Sequence, residues 1–195
     1  MKTSALILAA GYSSRMGRFK PLLPLGKTTV LQRVISLFQE SGIGDIKVVT
    51  GHRGDETAKA AIKMNAEAIF NPDYDGGMFS SVKAGVQALH IQTRAFFVLP
   101  VDIPLVSPKT IALLLKTWQE KNPAVLYPVF EGERGHPPLI SARARNHILS
   151  WSGLKGLRGA LDKLAAFSLE IETADKYILM DMDYPEDYEK IKGDA

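Results

Sequence analysis

The stretch Leu6-Ile7-Leu8-Ala9-Ala10-Gly11-Tyr12-Ser13-Ser14-Arg15-Met16-Gly17-Arg18-Phe19-Lys20 decides how the chain folds. Its first four residues are a short continuous apolar run, the pattern of a strand covered on both faces. Turn formers, hydroxyls and cations follow. Gly11 is free to take positive φ and lets backbone amides come close to a ligand. Consecutive amides in such a turn make a concave anion site. Ser13 and Ser14 add hydroxyl donors, Arg15 a guanidinium fork and Lys20 a point charge. Together these groups suit a polyphosphate. The glycine spacing fits neither the dinucleotide-binding fingerprint nor a P-loop. Arg18 reads as an ordinary surface cation.

Outward from this stretch, strand and helix signals alternate. Val30, Leu31, Val34, Ile35, Leu37 and Phe38 recur at helical spacing, with Thr29 and Gln32 placed as a capping box. Ile46 to Thr50 is predicted as a strand, Asp55 to Met64 as a helix and Ala66 to Phe70 as a strand. Asn71 to Gly77 is a loop of turn residues, and Val82, Val86 and Leu89 mark a helix. Ala95 to Val101 is the strongest strand signal. Ser107-Pro108 is an N-cap followed by proline at the first helical position, opening a helix to about Lys121. Val125 to Val129 is a strand, Glu131 to Gly135 a turn and Pro138 to Ile140 a short return strand. Helical segments near Ala142 to Ser150 and Gly159 to Leu164 come next. Phe167 to Ile171 and Tyr177 to Met180 are predicted as short strands, and Pro185 to Ile191 as a terminal helix.

Strands separated by helices of this length define an α/β fold, a Rossmann-like three-layer αβα arrangement. Its central sheet is expected to be mostly parallel, with a small antiparallel addition over residues 125–171. One domain spans residues 1–195. In such sheets ligands bind beyond the carboxyl ends of the strands. That rule selects the loop after Ala9, the loop after Phe70, the residues after Leu99 and the residues after Met180.

Composition narrows the chemistry. The absence of cysteine excludes disulfides, thiolate metal sites, iron–sulfur clusters and cysteine nucleophiles. The four histidines (His52, His90, His136 and His147) share no metal-ligand spacing. His52 lies near the crevice edge, whereas His90 and His147 read as helix-surface residues. A net charge of +3 without a run of like charges gives no basic stripe for nucleic acid. No apolar run reaches the roughly 18 residues of a membrane helix. The run from Ala5 to Ala10 is too short for an export signal, so a cytoplasmic protein without membrane contact is expected.

The crevice carries carboxylates. Asp102 follows a buried apolar strand and is held between Pro100 and Pro104. A nucleoside triphosphate arrives with Mg²⁺, which takes one or two carboxylates besides phosphate oxygens and water. Asp102 supplies one. Asp181 and Asp183, which alternation points the same way, are the candidates for the second. Glu186, Asp187 and Glu189 read as charges favourable to a helix N-terminus. Gly77 and Ser81 sit where a helix begins, suited to approach by a base or ribose. His136, its backbone fixed between Gly135 and two prolines, reads equally as a structural hydrogen-bonder and as an acceptor-substrate contact.

Leu8-Ala9-Ala10-Gly11-x-Ser13-x-Arg15-Met16-Gly17-x-x-Lys20 resembles the signature of nucleotidyltransferases of the sugar-phosphate pyrophosphorylase fold. Further segments resemble the molybdenum-cofactor nucleotidyltransferases among them. Asn71-Pro72 with Gly76-Gly77-Met78-x-x-Ser81-Val82 is similar to that family's second loop, and Leu99-Pro100-Val101-Asp102 to its metal-binding strand end. Arg134-Gly135-His136-Pro137-Pro138 resembles the element of the cytidylyltransferase branch, and Asp181-Met182-Asp183-Tyr184-Pro185 the closing motif. Gly156-x-x-Gly159 is a weaker match to a substrate loop. The family more often has threonine where Tyr184 stands.

The resemblance implies the nucleotide-diphospho-sugar transferase type of fold and transfer of CMP from CTP to the phosphate of molybdopterin, with release of pyrophosphate. It assigns Arg15, Lys20 and Asp102 to catalysis and Asp102 with Asp183 to Mg²⁺. The nucleotide would lie against Leu8, Ala9, Ala10, Gly11, Ser13, Ser14, Gly77 and Ser81. The acceptor would meet Arg134, His136 and Asp181. It also implies transient contact with a molybdoenzyme or its chaperone. Ala10 favours CTP over the GTP of the sister branch. The alternatives are a sugar-phosphate nucleotidyltransferase, a metal-dependent glycosyltransferase using Asp181-x-Asp183, and a non-catalytic nucleotide-binding module.

Overall fold

A computed structural model describes residues 2–194. In chain order the elements are β1 (Thr3–Ala9), β2 (Pro24–Leu25), β3 (Thr28–Thr29), α1 (Val30–Glu40), β4 (Asp45–Thr50), α2 (Gly54–Lys63), β5 (Glu67–Phe70) and α3 (Met78–Gln87). Then come β6 (Ala95–Pro100), α4 (Pro108–Lys121), β7 (Val125–Phe130), β8 (Glu133–Arg134), β9 (Leu139–Ser141), α5 (Arg145–Ser150), α6 (Gly156–Asp162), β10 (Ser168–Glu172) and α7 (Pro185–Asp194).

The main sheet runs β10-β7-β9-β6-β1-β4-β5. β1 lies at its centre, parallel to both β4 and β6. Its side chains alternate between two cores, as period-2 geometry requires. Ala5, Ile7 and Ala9 join Phe97, Leu99, Val34, Phe38, Ile111 and Leu114 on one face. Leu6 and Leu8 join Phe96, Val98, Val82, Val86 and Ile148 on the other. α1 and α4 thus cover one face, and α3, α5 and α6 the other. This is the expected three-layer arrangement, and it explains why β1 and β6 read as unbroken apolar runs.

Local signals act where the sequence places them. Thr29 accepts from the Gln32 amide at 3.3 Å while the Gln32 side chain accepts from the Thr29 amide at 2.9 Å, a complete capping box. Ser107 caps α4 by accepting from the Lys109 amide, with Pro108 in the first turn.

Four expectations are corrected. The antiparallel addition is smaller than residues 125–171: β9 runs against β6 and β7, β8 folds back on β7, and β10 is parallel to β7. Tyr177 to Met180 is not a strand; Lys176–Leu179 forms a 3₁₀ turn capped by Asp175, whose carboxylate accepts from the Tyr177 amide. Asp175 also accepts from the Ser107 amide at 2.8 Å and the Thr110 hydroxyl at 2.7 Å. A tertiary contact thus fixes this turn. His147 also departs from its surface reading: half-buried, its Nε2 lies 2.8 Å from the Ala160 carbonyl and ties α5 to α6. His90 lies in the turn after α3 rather than on a helix face, where its Nδ1 accepts from the Gln92 amide.

These elements differ in weight. Thr29→Ala should lower unfolding free energy by about 1 kcal/mol. Phe97→Ala, at a fully buried position, should lower it by about 3–5 kcal/mol. Urea midpoints at a common slope test the ranking.

Candidate active site

The register of the parallel strands brings the functional loops to one edge. Ala9 pairs with Thr50 and Leu8 with Pro100, so the chains leaving β1, β4 and β6 emerge side by side. Val101 donates its amide to the Leu8 carbonyl at 3.0 Å and Met182 donates to the Asp102 carbonyl at 2.9 Å. The segment after the 3₁₀ turn is thereby sewn beside Asp102 although it is not a strand.

Lys20 is where these segments meet. Its Nζ lies 3.0 Å from Asp102 Oδ2 and 2.8 Å from Asp183 Oδ1. Arg15 also donates to Asp183, from the exposed side, and its guanidinium lies 6.0 Å from the Tyr184 ring centroid. Burial opposes the charged ammonium of Lys20, but its hydrogen bonds to and the fields of Asp183 and Asp102 outweigh that and hold its pKa above the ordinary lysine value. The Lys20 hydrogen bond holds the Asp183 carboxyl below the usual range, with Arg15 adding to it. Asp181 behaves oppositely. Burial, then the fields of Asp183 and Asp102, push its carboxyl up. Asp181 therefore faces the same crevice but makes no ion pair among the described residues, so only Asp183 of the two converges with Asp102.

The loop from Gly11 to Lys20 is shaped differently from the expectation. Gly11 does not use positive φ; Ser13 does, at 59°, and so does Gly17, at 65°. Ser13 closes the loop by accepting from the Lys20 amide at 3.1 Å, which aims the lysine inward. Ser14 and Arg15 remain exposed. Arg18 lies 5.5 Å from the Tyr188 ring centroid, away from the crevice, consistent with its surface reading.

Two cavities meet here. The smaller, about 310 Å³, is lined by Leu8, Ala9, Ala10, Gly11, Ser13, Lys20, Gly77, Ser81 and Asp102, and also by Tyr12, Tyr74 and Asp75. Gly77 begins α3 with φ 89° and ψ 175°, a backbone state that favours glycine. Ser81 is buried and its hydroxyl accepts from Asn71 Nδ2 at 3.1 Å. Asn71, itself buried, also donates to Ser80 Oγ at 2.8 Å and accepts from the Asp73 amide at 3.0 Å. It organises the whole second loop, a role its place in an Asn-Pro turn motif only hinted at.

The larger cavity, about 820 Å³, shares Leu8, Met78 and Pro100 with the smaller and holds Arg134 and His136. Sequence reading missed Phe79, Tyr127, Lys155 and Arg158 in its wall; Phe79 and Arg158 fill variable positions of the quoted motifs, and Tyr127 and Lys155 lie outside them. Arg134 pairs with Glu170 at 2.6 Å and stacks over Tyr127 at 4.7 Å. His136 Nδ1 is buried without a hydrogen-bond partner among the described residues. Burial holds its imidazole below the usual pKa, opposed in part by the nearby Val98 backbone and the fields of Asp102 and Asp181.

A loop of hydroxyls and cations after the first strand, a carboxylate two residues past the fourth parallel strand and two adjoining cavities fit a nucleotidyltransferase. The chain belongs to the family of MobA-like NTP transferase domains, whose model matches residues 5–167. It is 36% identical over 184 residues to the molybdenum cofactor cytidylyltransferase of Escherichia coli K12, covering 94% of this chain and 92% of that protein. The fold is shared with Rv0371c of Mycobacterium tuberculosis H37Rv, at a TM-score of 0.86 and 20% identity over 98% of both chains. A nucleotidyl transferase from Methanothermobacter thermautotroptrophicus superposes at a TM-score of 0.85, with 25% identity over 98% of this chain and 96% of that one.

Because the folded pKa of Asp183 is depressed, its contribution to stability is complete above the ordinary carboxylate pKa and is lost as pH falls through the folded value. Lys20→Met removes the leading cause of that depression. Thermal melts between about pH 5 and pH 2 should show a shallower acid-side fall in Tm for Lys20→Met than for the parent. An unchanged slope would mean that Lys20 does not hold Asp183.

Proposed function

We propose that this protein transfers CMP from CTP to the phosphate of a molybdopterin-type acceptor, releasing pyrophosphate. The observation that carries this reading is the adjacency of the two cavities across Leu8, Met78 and Pro100, with Asp102 and Lys20 on the wall of the smaller one. The name of the Escherichia coli relative supports the choice of donor and acceptor.

In this reading the triphosphate lies along the loop after β1, where Arg15 and Lys20 offset its charge. An oxygen of the acceptor phosphate attacks the α-phosphorus in line, the bond to the α–β bridging oxygen breaks, and pyrophosphate leaves with that electron pair. The attacking phosphate is already anionic at neutral pH, so no general base is required. Arg134 and His136 contact the acceptor in the larger cavity. His136, held neutral by burial, orients it rather than charging it.

Asp102 and Asp183 would hold Mg²⁺. The donor set fits: two carboxylates from separate segments converge on one cation position, now taken by the Lys20 ammonium, and all donors are hard oxygens. Among the described residues no group of three or more acidic or histidine side chains could hold a metal, which suits an ion completed by phosphate oxygens and water. When bound, Mg²⁺ supplies charge neutralisation at the phosphates. Lys20 is then free to turn towards the triphosphate.

No helix among the described residues is long and apolar enough to cross a membrane. We place the reaction in the cytoplasm, with the product passed on by transient contact with a molybdoenzyme or its chaperone.

Pyrophosphate release should require both CTP and molybdopterin when each of the four triphosphates is assayed with and without acceptor. Sugar transfer from a nucleotide sugar instead would overturn the proposal. Lys20→Ala and Asp102→Ala should each lower turnover by at least about 10²-fold with the fold intact. Chelation should stop the reaction and Mg²⁺ restore it. Activity retained in Asp102→Ala would show that the metal site lies elsewhere.

A further inference from the structure

The smaller cavity also carries side chains that the phosphate chemistry does not use. Tyr12, from the loop after β1, donates its hydroxyl to the Asp75 carboxylate, from the turn after β5. Both residues line this cavity. The Tyr12 ring lies 4.7 Å from the His52 ring and 5.6 Å from the Tyr74 ring, centroid to centroid. Three aromatic rings and a carboxylate therefore cluster where the loop after β1 meets the turn after β5.

This cluster is held firmly in place. A Cβ on Gly51 would come within 2.5 Å of Tyr74 Cβ and 2.8 Å of the Ala10 carbonyl, so the turn carrying Tyr74 and Asp75 packs directly on the β1 loop and the end of β4. His52 donates its amide to the Ala10 carbonyl at 3.0 Å, fixing the ring that meets Tyr12. The cavity contains two carboxylates, Asp102 and Asp75, among its lining residues. Asp102 is paired with Lys20 at the phosphate end. Among the described residues the Asp75 carboxylate is engaged only by a neutral phenol, whose pKa this hydrogen bond raises well above the ordinary value.

An ionised carboxylate accepts hydrogen bonds and cannot donate them. It therefore favours a base edge that carries an amino group, such as N4 of cytosine, and disfavours one that carries a carbonyl oxygen at the same position, such as O4 of uracil. The phosphates are drawn towards Lys20 and Arg15, which leaves Asp75 and Tyr12 to meet the base. We propose that Asp75 is the base-reading residue, accepting from the exocyclic amine of an amino-bearing base, and that the Tyr12 hydroxyl stands in for that amine while the cleft is empty. This rests on the reading of the smaller cavity as the nucleotide site and deepens it.

The experiment measures binding of CTP and UTP to the whole protein by calorimetry with Mg²⁺ present and, separately, pyrophosphate release with acceptor. The parent should prefer CTP. Asp75→Asn, which can both donate and accept, should reduce the CTP-to-UTP ratio by about 10- to 100-fold, the range expected for losing a hydrogen bond to a charged group. Tyr12→Phe keeps the ring and removes the competing hydroxyl. It should preserve the ratio while CTP binds at least as tightly. Thermal melts check that both variants fold.

A CTP-to-UTP ratio unchanged in Asp75→Asn, or a parent with no preference, would overturn the assignment. So would an equal loss of ratio in both variants, since that would make the pair a structural latch. A parent that prefers GTP would overturn the cytidylyl reading alone. Guanine also offers donors to a carboxylate, and the GTP-to-UTP ratio in Asp75→Asn would then decide for or against Asp75.

Discussion

One ammonium group holds the cleft together. Lys20, Asp102 and Asp183 come from segments far apart in the chain, and Lys20 Nζ bridges the two carboxylates. Without it two carboxylates would face each other with no cation between them. The side chains of Asp102 and Asp183 are 21% and 26% exposed, so solvent screens the pairing and its direct gain in stability is modest. Its value is geometric. It aims a lysine and two carboxylates at one point where polyphosphate and a hard cation would also meet.

That arrangement depends on the sheet beneath it. Parallel pairing of β4, β1 and β6 fixes which residues emerge together, and the two cores lock the register because a one-residue slip would turn Ile7 and Phe97 into the wrong core. The loop after β1 is then closed from within by the Ser13 hydroxyl and the Lys20 amide. The closing segment around Asp183 is fixed by the Met182 amide on the Asp102 carbonyl and by Asp187, which accepts from the Asp183 and Tyr184 amides at the start of α7. Rigid backbone, rather than side-chain pairing, carries the precision.

Much of this was legible in local sequence. Continuous apolar runs identified β1 and β6 because each is buried on both faces. The Thr29–Gln32 box and Ser107-Pro108 marked helix starts because capping is a contact over two or three residues. The Tyr177 to Met180 segment was misread because its apolar residues satisfy a strand pattern equally well, while the deciding contacts, Asp175 with Ser107 and Thr110, span more than 60 residues. Phe79, Tyr127, Lys155 and Arg158 escaped notice for a related reason: each is an ordinary residue in its own element and acquires a common cavity only when α3, β7 and α6 pack.

The sequence by itself determined the layered α/β architecture, the hydroxyl- and cation-rich character of residues 11–20 and the candidacy of Asp102, since these follow from periodicity and charge within short windows. Tertiary structure alone decided that Ser13 and not Gly11 takes the left-handed turn, that Asp175 orders residues 176–179 as a 3₁₀ turn, and that Asp75 meets Tyr12. These outcomes depend on distances between segments brought together by strand register, and no window of neighbouring residues contains that information.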